Sequence, residues 1–496
     1  MPQKIKFQEE VSNFISNSIH NSNFKASKQT EKNMFQPEVY IQRRKILCEK
    51  IGSGLILFWG NDESPMNYPD NHYHFRQHSS FLYYFGIDFP SVAAVLDVEN
   101  QQQILFGDDF TIDDIVWRGA QPTIAQRALS SGINETQPFV KLYSILKEAQ
   151  ASRKEIHFLP PYRPENKIKL LRFLNIRPDQ INLNASSDLV KAVISQREIK
   201  SSEEIEEIER AVDLSVDMHI AAMKMARPGM SEAQIAAKVH EKALEQNCNL
   251  AFPIIATING QTLHNHSHSN ILKEGDLFLL DAGAESQMHY AGDLSSTFPV
   301  SKRFTEIQKE IYRASLKAHE AAIRCIGPGV RFMDVHLAAC RSIASSMKEL
   351  GLMKGDIDEA VSEGAHALFF PCGTGHMMGL DVHDMEDLGE VWVGYDGEAK
   401  SSQFGLKSLR FAKELRPGHV FTIEPGIYFI PELIDLWKSE GKMDHFLNWN
   451  EIEKFRNFGG IRNEENFVVT ENGYHRLGKA KPKTIEEVEN QRSYSY

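Results

Sequence analysis

The chain has 496 residues, 42% of them hydrophobic and 25% charged, which is ordinary globular material too long for one compact core, so two domains are expected. Its formal charge, 55 − 67 = −12, argues against a nucleic-acid backbone or an anionic membrane surface as partner. No uncharged apolar run approaches the ~20 residues of a membrane span, and the first thirty residues lack the apolar centre of a secretory signal. Five scattered cysteines without a CxxC pair argue against a disulfide scaffold and for the reducing cytoplasm.

In chain order, residues 1–33 are rich in Asn, Ser and Lys and are expected to be a polar extension. Residues 34–195 read as an α/β domain, with strands at "GLILFWG", "FLYYFGI", "SVAAVLDVE", "QQILFGDD" and "KEIHFLPPY". Trp117, in "VWRG", reads as a core aromatic ahead of the alternative that it reaches a neighbouring subunit's site. The charged segment "SQREIKSSEEIEEIERA" opens a second domain, 196–480, leaving 481–496 as a tail. Ser201 with Glu204 forms a capping-box pattern, and Ile205, Ile208, Val212 and Val216 mark the amphipathic helix it starts.

The second domain repeats itself. Ser231 with Gln234 and Thr305 with Gln308 are further caps, and Pro228-Gly229 and Pro328-Gly329 break the helices one hundred residues apart. Each helix pair leads to a glycine, an apolar strand and an acid, "EGDLFLLD" and "PGHVFTIE". Two similar halves about a pseudo-twofold axis are expected.

Four carboxylates then stand beside strands: Asp281, Asp293 twelve residues on, Glu424, and Glu464 in "GGIRNEENFVVT". Any one alone reads as a solvated strand end. Together and buried, they cannot all stay ionised unless cations balance them, and two divalent ions would cancel the four charges. Oxygen-rich ligands suit manganese or a similar metal, and His376, in "PCGTGHMMGLDVHD", would complete a two-metal site.

"LLDAGAESQMHYAGDLSSTFPV", "GTGHMMGLDVHD", "TIEPGIYF" and "GGIRNEENF" together resemble the pita-bread metallopeptidases, in their aminopeptidase P and prolidase branch. "FRQHSSFLYYFGI" and "VWRGAQPT" resemble the creatinase-like N-terminal domain of aminopeptidase P. The resemblance implies two divalent ions, usually Mn(II), with Asp281 on one, His376 and Glu424 on the other, and Asp293 and Glu464 bridging. It also implies release of the residue preceding proline by a metal-bridging hydroxide, with Glu424 accepting the proton. His264 matches the family histidine lining the substrate pocket, His383 the one that hydrogen-bonds substrate, and Arg462 an arginine near the metals. Short peptides beginning Xaa-Pro are the implied partners, and a homodimer or homotetramer the implied assembly.

Departures from the pattern are visible. Cys372 stands where the family commonly has a substrate-binding histidine, and Ser296 replaces an arginine beside the bridging aspartate. The step from Asp281 to Asp293 is one residue longer than usual, which implies a bulge or longer turn. His266 and His268 match nothing and are read as bystanders, and the insertions at 388–408 and 433–457 are read as lids or subunit contacts. A dipeptidase restricted to Xaa-Pro, with Arg462 binding the free carboxylate, is one alternative. A non-catalytic binding module is another, and it would be marked by lost ligands.

Overall fold

The computed structural model describes residues 34–493; the polar extension read at 1–33 and the last three residues of the tail lie outside the described residues. In the first domain β1 (Leu55–Trp59), β2 (Ala93–Asp97), β3 (Gln102–Phe106), β4 (Glu135–Gln137) and β5 (Ile156–Phe158) form one mixed sheet, ordered β4-β3-β2-β1-β5. β1 pairs antiparallel with β2 and parallel with β5. All five of its residues are buried, because helices cover both faces of the sheet and a continuous apolar run is what such a strand needs.

"FLYYF" is not the expected strand. Ser79–Phe85 is a helix, started by the His78 ring accepting from the Ser80 N–H and ended by Gly86 in the left-handed region (φ 64°). All seven residues are buried, so the run carries no periodicity to separate helix from strand, and the two caps decide it. Trp117 also departs from expectation. Its helix, Ile112–Arg118, buries nothing, and the indole is 86% exposed.

In the second domain the caps at Ser201, Ser231 and Thr305 all close as reciprocal capping boxes, starting helices Ser202–Met225, Glu232–Leu244 and Glu306–Arg324. The fourth helix is Phe332–Glu349. The strands follow as β6 (Asn249–Leu250), β7 (Ile255–Thr257), β8 (Leu277–Ala282), β9 (Ala284–Glu285), β10 (Leu294–Pro299), β11 (Val420–Ile423), β12 (Gly426–Tyr428), β13 (Gly460–Arg462), β14 (Glu465–Thr470) and β15 (Gly473–Arg476).

The two halves repeat down to single hydrogen bonds. Gly229 and Gly329 both have positive φ, 89° and 84°, as do Gly275 and Gly418 ahead of β8 and β11, 89° and 90°. Gly229 N–H donates to Leu272 O and Leu272 N–H to Met230 O; Gly329 N–H donates to Leu415 O and Leu415 N–H to Val330 O. Each half contributes a three-stranded sheet, β10-β8-β7 and β11-β14-β15, and Glu464 N–H donates to Ser295 O across them at 3.1 Å.

Between Asp281 and Asp293 the chain forms β9, which pairs with β6, and a turn through His289 (φ 68°). At the neck of this excursion a Cβ on Gly283 would sit 1.8 Å from the Gly292 carbonyl oxygen, so only glycine lets the two chains touch there. The segment read as a tail is partly structural. Ile485–Ser493 is a helix whose Ile485, Val488 and Arg492 share one face and are buried. All five cysteines are free thiols, and among the described residues no helix is long and apolar enough to cross a membrane.

Candidate metal centre

A cavity of about 610 Å³ between the two halves is lined by Asp281, Asp293, His376, Glu424 and Glu464. Strand ends place the acids. Asp281 lies in β8 opposite Ser295 of β10, and Asp293 immediately precedes β10. Glu424 follows β11, its N–H donating to Thr374 O at 2.7 Å, while Glu464 links β13 to β14. Asn466 holds the Asp293 backbone at both ends, accepting from its N–H (3.2 Å) and donating to its carbonyl (2.6 Å).

His376 is held against β11, its N–H donating to Thr422 Oγ1 at 3.2 Å. Its Nδ1 lies 3.1 Å from the Met377 carbonyl, an oxygen that can only accept, so Nδ1 carries the proton. In the neutral ring Nε2 is then a bare lone pair, yet it faces Asp293 Oδ2 at 3.3 Å and Glu424 Oε1 at 3.5 Å. Three lone-pair donors turned toward one another call for a cation between them.

The carboxylates give the same result. Asp281 Oδ1, Asp293 Oδ1 and Glu464 Oε1 are buried without a hydrogen-bond partner among the described residues. One donor atom each from Asp293, His376 and Glu464 lies within 4.8 Å of the other two. Burial, and then the neighbouring acids Asp281 and Glu424, hold Asp293 well above the usual carboxylate range. Burial does the same to Glu464, followed by Asp293 and Glu424, and burial raises Glu424 as well. These residues fit divalent cations.

One buried cation already stands at the edge of the cluster. Arg462 donates from Nη2 to Asp281 Oδ2 (2.5 Å), from Nε to Ser295 Oγ (2.8 Å) and from Nη1 to Tyr428 OH (2.9 Å). A second lies behind β10: Lys481 Nζ donates to Ser296 Oγ at 2.9 Å, and burial lowers its pKa to about 8. The positive charge absent at position 296 thus comes from the segment read as a tail.

A pH dependence follows for protein stripped of divalent ions. Carboxyls whose pKa is raised on folding bind more protons folded than unfolded, so their stabilising contribution is complete at low pH. It is lost as pH rises through their raised values. Thermal melts of stripped protein are therefore expected to fall as pH climbs above the ordinary carboxylate range, and the fall to vanish with saturating Mn(II). Parallel curves with and without metal would contradict this.

The remaining site residues fall around the same cavity. His383 packs edge-on against His376, ring centres 4.2 Å apart, with Nδ1 2.6 Å from Glu386 Oε2; burial, then His376, lowers its pKa to about 4. His264 lines the cavity, and burial lowers its pKa too. Cys372 is in the wall, its thiol pushed up to about 12 by burial and then by Glu424, so it is a protonated, neutral group near pH 7 rather than a nucleophile.

Two wall residues escaped the sequence reading. His266, taken as a bystander, lines the cavity beside His264, with ring centres 6.5 Å apart. Arg410 does so as well, bonded at 2.7 Å to both Glu386 and Glu390, and no pattern in "KSLRFAKEL" announces it. His268 is indeed turned away, its Nε2 on the Ile254 carbonyl at 3.1 Å. Phe404 and Ser408 bring the 388–408 insertion into the wall.

Residues 206–471 match metallopeptidase family M24, and residues 40–157 match the aminopeptidase P N-terminal domain. The Xaa-Pro aminopeptidase of Escherichia coli (strain K12) is 30% identical over 467 residues, covering 90% of this chain and 96% of that protein. The Xaa-Pro dipeptidase of Homo sapiens is 29% identical over 483 residues, covering 91% of this chain and 92% of that protein. The solved structure of Pseudomonas aeruginosa aminopeptidase PepP matches with a TM-score of 0.78 at 26% identity, covering 93% of this chain and 99% of that one.

Proposed function

The chain belongs to metallopeptidase family M24, in its Xaa-Pro aminopeptidase and prolidase group, and from that premise we propose that it releases the N-terminal residue of peptides with proline in second position. The observation that carries the reading is the convergence of four acids and one imidazole on a single cavity, with lone pairs that no donor among the described residues satisfies. Asp281, Asp293, His376, Glu424 and Glu464 would hold two divalent ions, and four carboxylates with one imidazole favour Mn(II). Such a pair, when bound, polarises a carbonyl and makes water nucleophilic at neutral pH.

The chain's own residues supply the rest. Glu424, set in the cavity wall beside His376 Nε2, takes up the proton released as water attacks and passes it to the departing proline nitrogen. His383, with Nδ1 tied to Glu386, keeps its other ring nitrogen for the substrate. His264 lines the same wall and Phe252, Ile255, Val382 and Phe404 give it an apolar surface for a proline ring. The exposed apolar side chains of Ile112, Val116 and Trp117 support assembly as a homodimer or homotetramer.

The dipeptidase reading is favoured by Arg410, a cation in the cavity wall that could meet a free C-terminal carboxylate, a role better suited to it than to Arg462. Against it, both arginines of the wall are already engaged, Arg410 by Glu386 and Glu390 and Arg462 by Asp281. An aminopeptidase needs neither of them free. The deciding experiment strips the protein with chelator, restores Mn(II), and offers Ala-Pro-Ala and Ala-Pro separately. Alanine is expected from the tripeptide, and only after metal returns. Cleavage of Ala-Pro with the tripeptide untouched would establish the dipeptidase instead.

A further inference from the structure

We propose that His336, Cys340 and His366 hold one soft, thiophilic cation, Cu(I), at a buried site separate from the carboxylate cluster. Helix Phe332–Glu349 sets His336 and Cys340 four residues apart on one face, with His336 Nε2 3.4 Å from Cys340 Sγ. His366 comes from the short helical turn Ala365–Leu368. One donor atom from each of the three lies within 4.8 Å of the other two, and all three side chains are buried.

The arrangement is built, and one member is unsatisfied. His336 Nδ1 sits 2.9 Å from Thr374 Oγ1; with the proton donated there, the Nε2 lone pair points at the thiol. His366 is 1% exposed, and neither of its ring nitrogens has a hydrogen-bond partner among the described residues. Leaving a buried imidazole wholly unpaired is costly, and a metal bond to one nitrogen removes much of that cost. Burial lowers the pKa of His336 to about 3 and of His366 to about 4, so both rings are neutral and their lone pairs free to bind.

Charge selects the ion. Burial holds the Cys340 thiol well above its usual range, so binding must expel its proton. The thiol S–H breaks, the proton leaves to solvent, the S–Cu bond forms, and no electron is transferred. A thiolate with two neutral imidazoles and a monovalent ion sums to zero. Zinc(II) would leave a net positive charge beside Phe370, whose ring lies 5.7 Å from that of His336. No carboxylate among the described residues bonds to any of the three side chains. Soft sulfur and imidazole here, hard oxygen at the other centre, would sort two kinds of metal within one domain. The site also braces the peptidase cavity, since Thr374, bonded to His336, accepts the Glu424 N–H through its carbonyl.

The test uses the full chain, reduced and oxygen-free, stripped of metal and then saturated with Mn(II). It is titrated with Cu(I) against a chromophoric Cu(I) chelator, and in parallel with Zn(II) against a zinc dye. One equivalent of Cu(I) is expected to be taken from the chelator, with sulfur in the copper coordination shell by X-ray absorption. Cys340→Ser and His366→Ala are each expected to weaken uptake at least about tenfold, while Cys325→Ser, at a half-buried thiol elsewhere, leaves it unchanged. No uptake by the unaltered protein, a copper shell without sulfur, undiminished uptake by Cys340→Ser, or tighter retention of Zn(II) would overturn the proposal. The absorption measurement needs no variant, so a misfolded substitution cannot mask the answer.

Discussion

Glu424→Ala is expected to lower kcat for Ala-Pro-Ala by roughly 10²–10⁴-fold with saturating Mn(II), the range lost when a positioned acid–base group is removed. The carboxyl stands at the end of β11, pinned by its own N–H on Thr374 O at 2.7 Å, and its Oε1 faces His376 Nε2. Of the other acids, Asp281 is tied to Arg462 and Glu464 accepts from Ser295 Oγ at 2.8 Å, while Asp293 shares the His376 Nε2 face with Glu424, at 3.3 Å. Folding should survive the change, because truncation removes one of four mutually repelling carboxylates and leaves the backbone bond in place. Steady-state kinetics beside a thermal melt checks both halves of the expectation. His376→Ala should behave alike. Full activity in either variant with metal present would remove these residues from the mechanism.

Arg462→Met is expected to cost roughly 3–5 kcal/mol of stability in chelator, the scale for deleting one partner of a buried ion pair. Three nitrogens of one planar group reach Asp281, Ser295 and Tyr428, and the guanidinium is the cation bonded directly to the acid cluster. Its loss leaves Asp281, half-buried with its Oδ1 wholly enclosed, uncompensated beside three further carboxyls. Denaturant titration should show the deficit shrinking when Mn(II) is added, since the ions take over the charge balance. Arg462→Lys should recover only part of it, because one ammonium cannot span three partners held in a fork. An equal loss with and without metal would mean that Arg462 acts through packing alone.

The chain determined a good deal of this locally. A capping box depends on two residues three apart, so the helix starts at Ser201, Ser231 and Thr305 could be read directly and all three close as boxes. A glycine in the left-handed region followed by a buried apolar run and an acid is equally local, which is why Asp281 and Glu424 stood out and the repeat was visible. Their convergence required the two halves to pair, and the pattern repeated between Ser201 and Glu424 was enough to suggest it.

Other features had no local mark. In "FLYYF" every position is buried, so periodicity is silent and only the caps at His78 and Gly86 distinguish helix from strand. Trp117 is an indole in a seven-residue helix, and whether it meets core or solvent depends on where that helix sits. Lys481 lies 185 residues from the Ser296 hydroxyl it reaches, and Arg410 becomes part of the wall because the chain around it folds over the cavity. His336 and Cys340 share a helix face, yet His366 joins them only through packing of a separate turn. Sequence spacing fixes what short-range hydrogen bonds and periodicity can reach. Which distant side chains share a cavity is set by the packing of whole elements, and that only the tertiary structure decides.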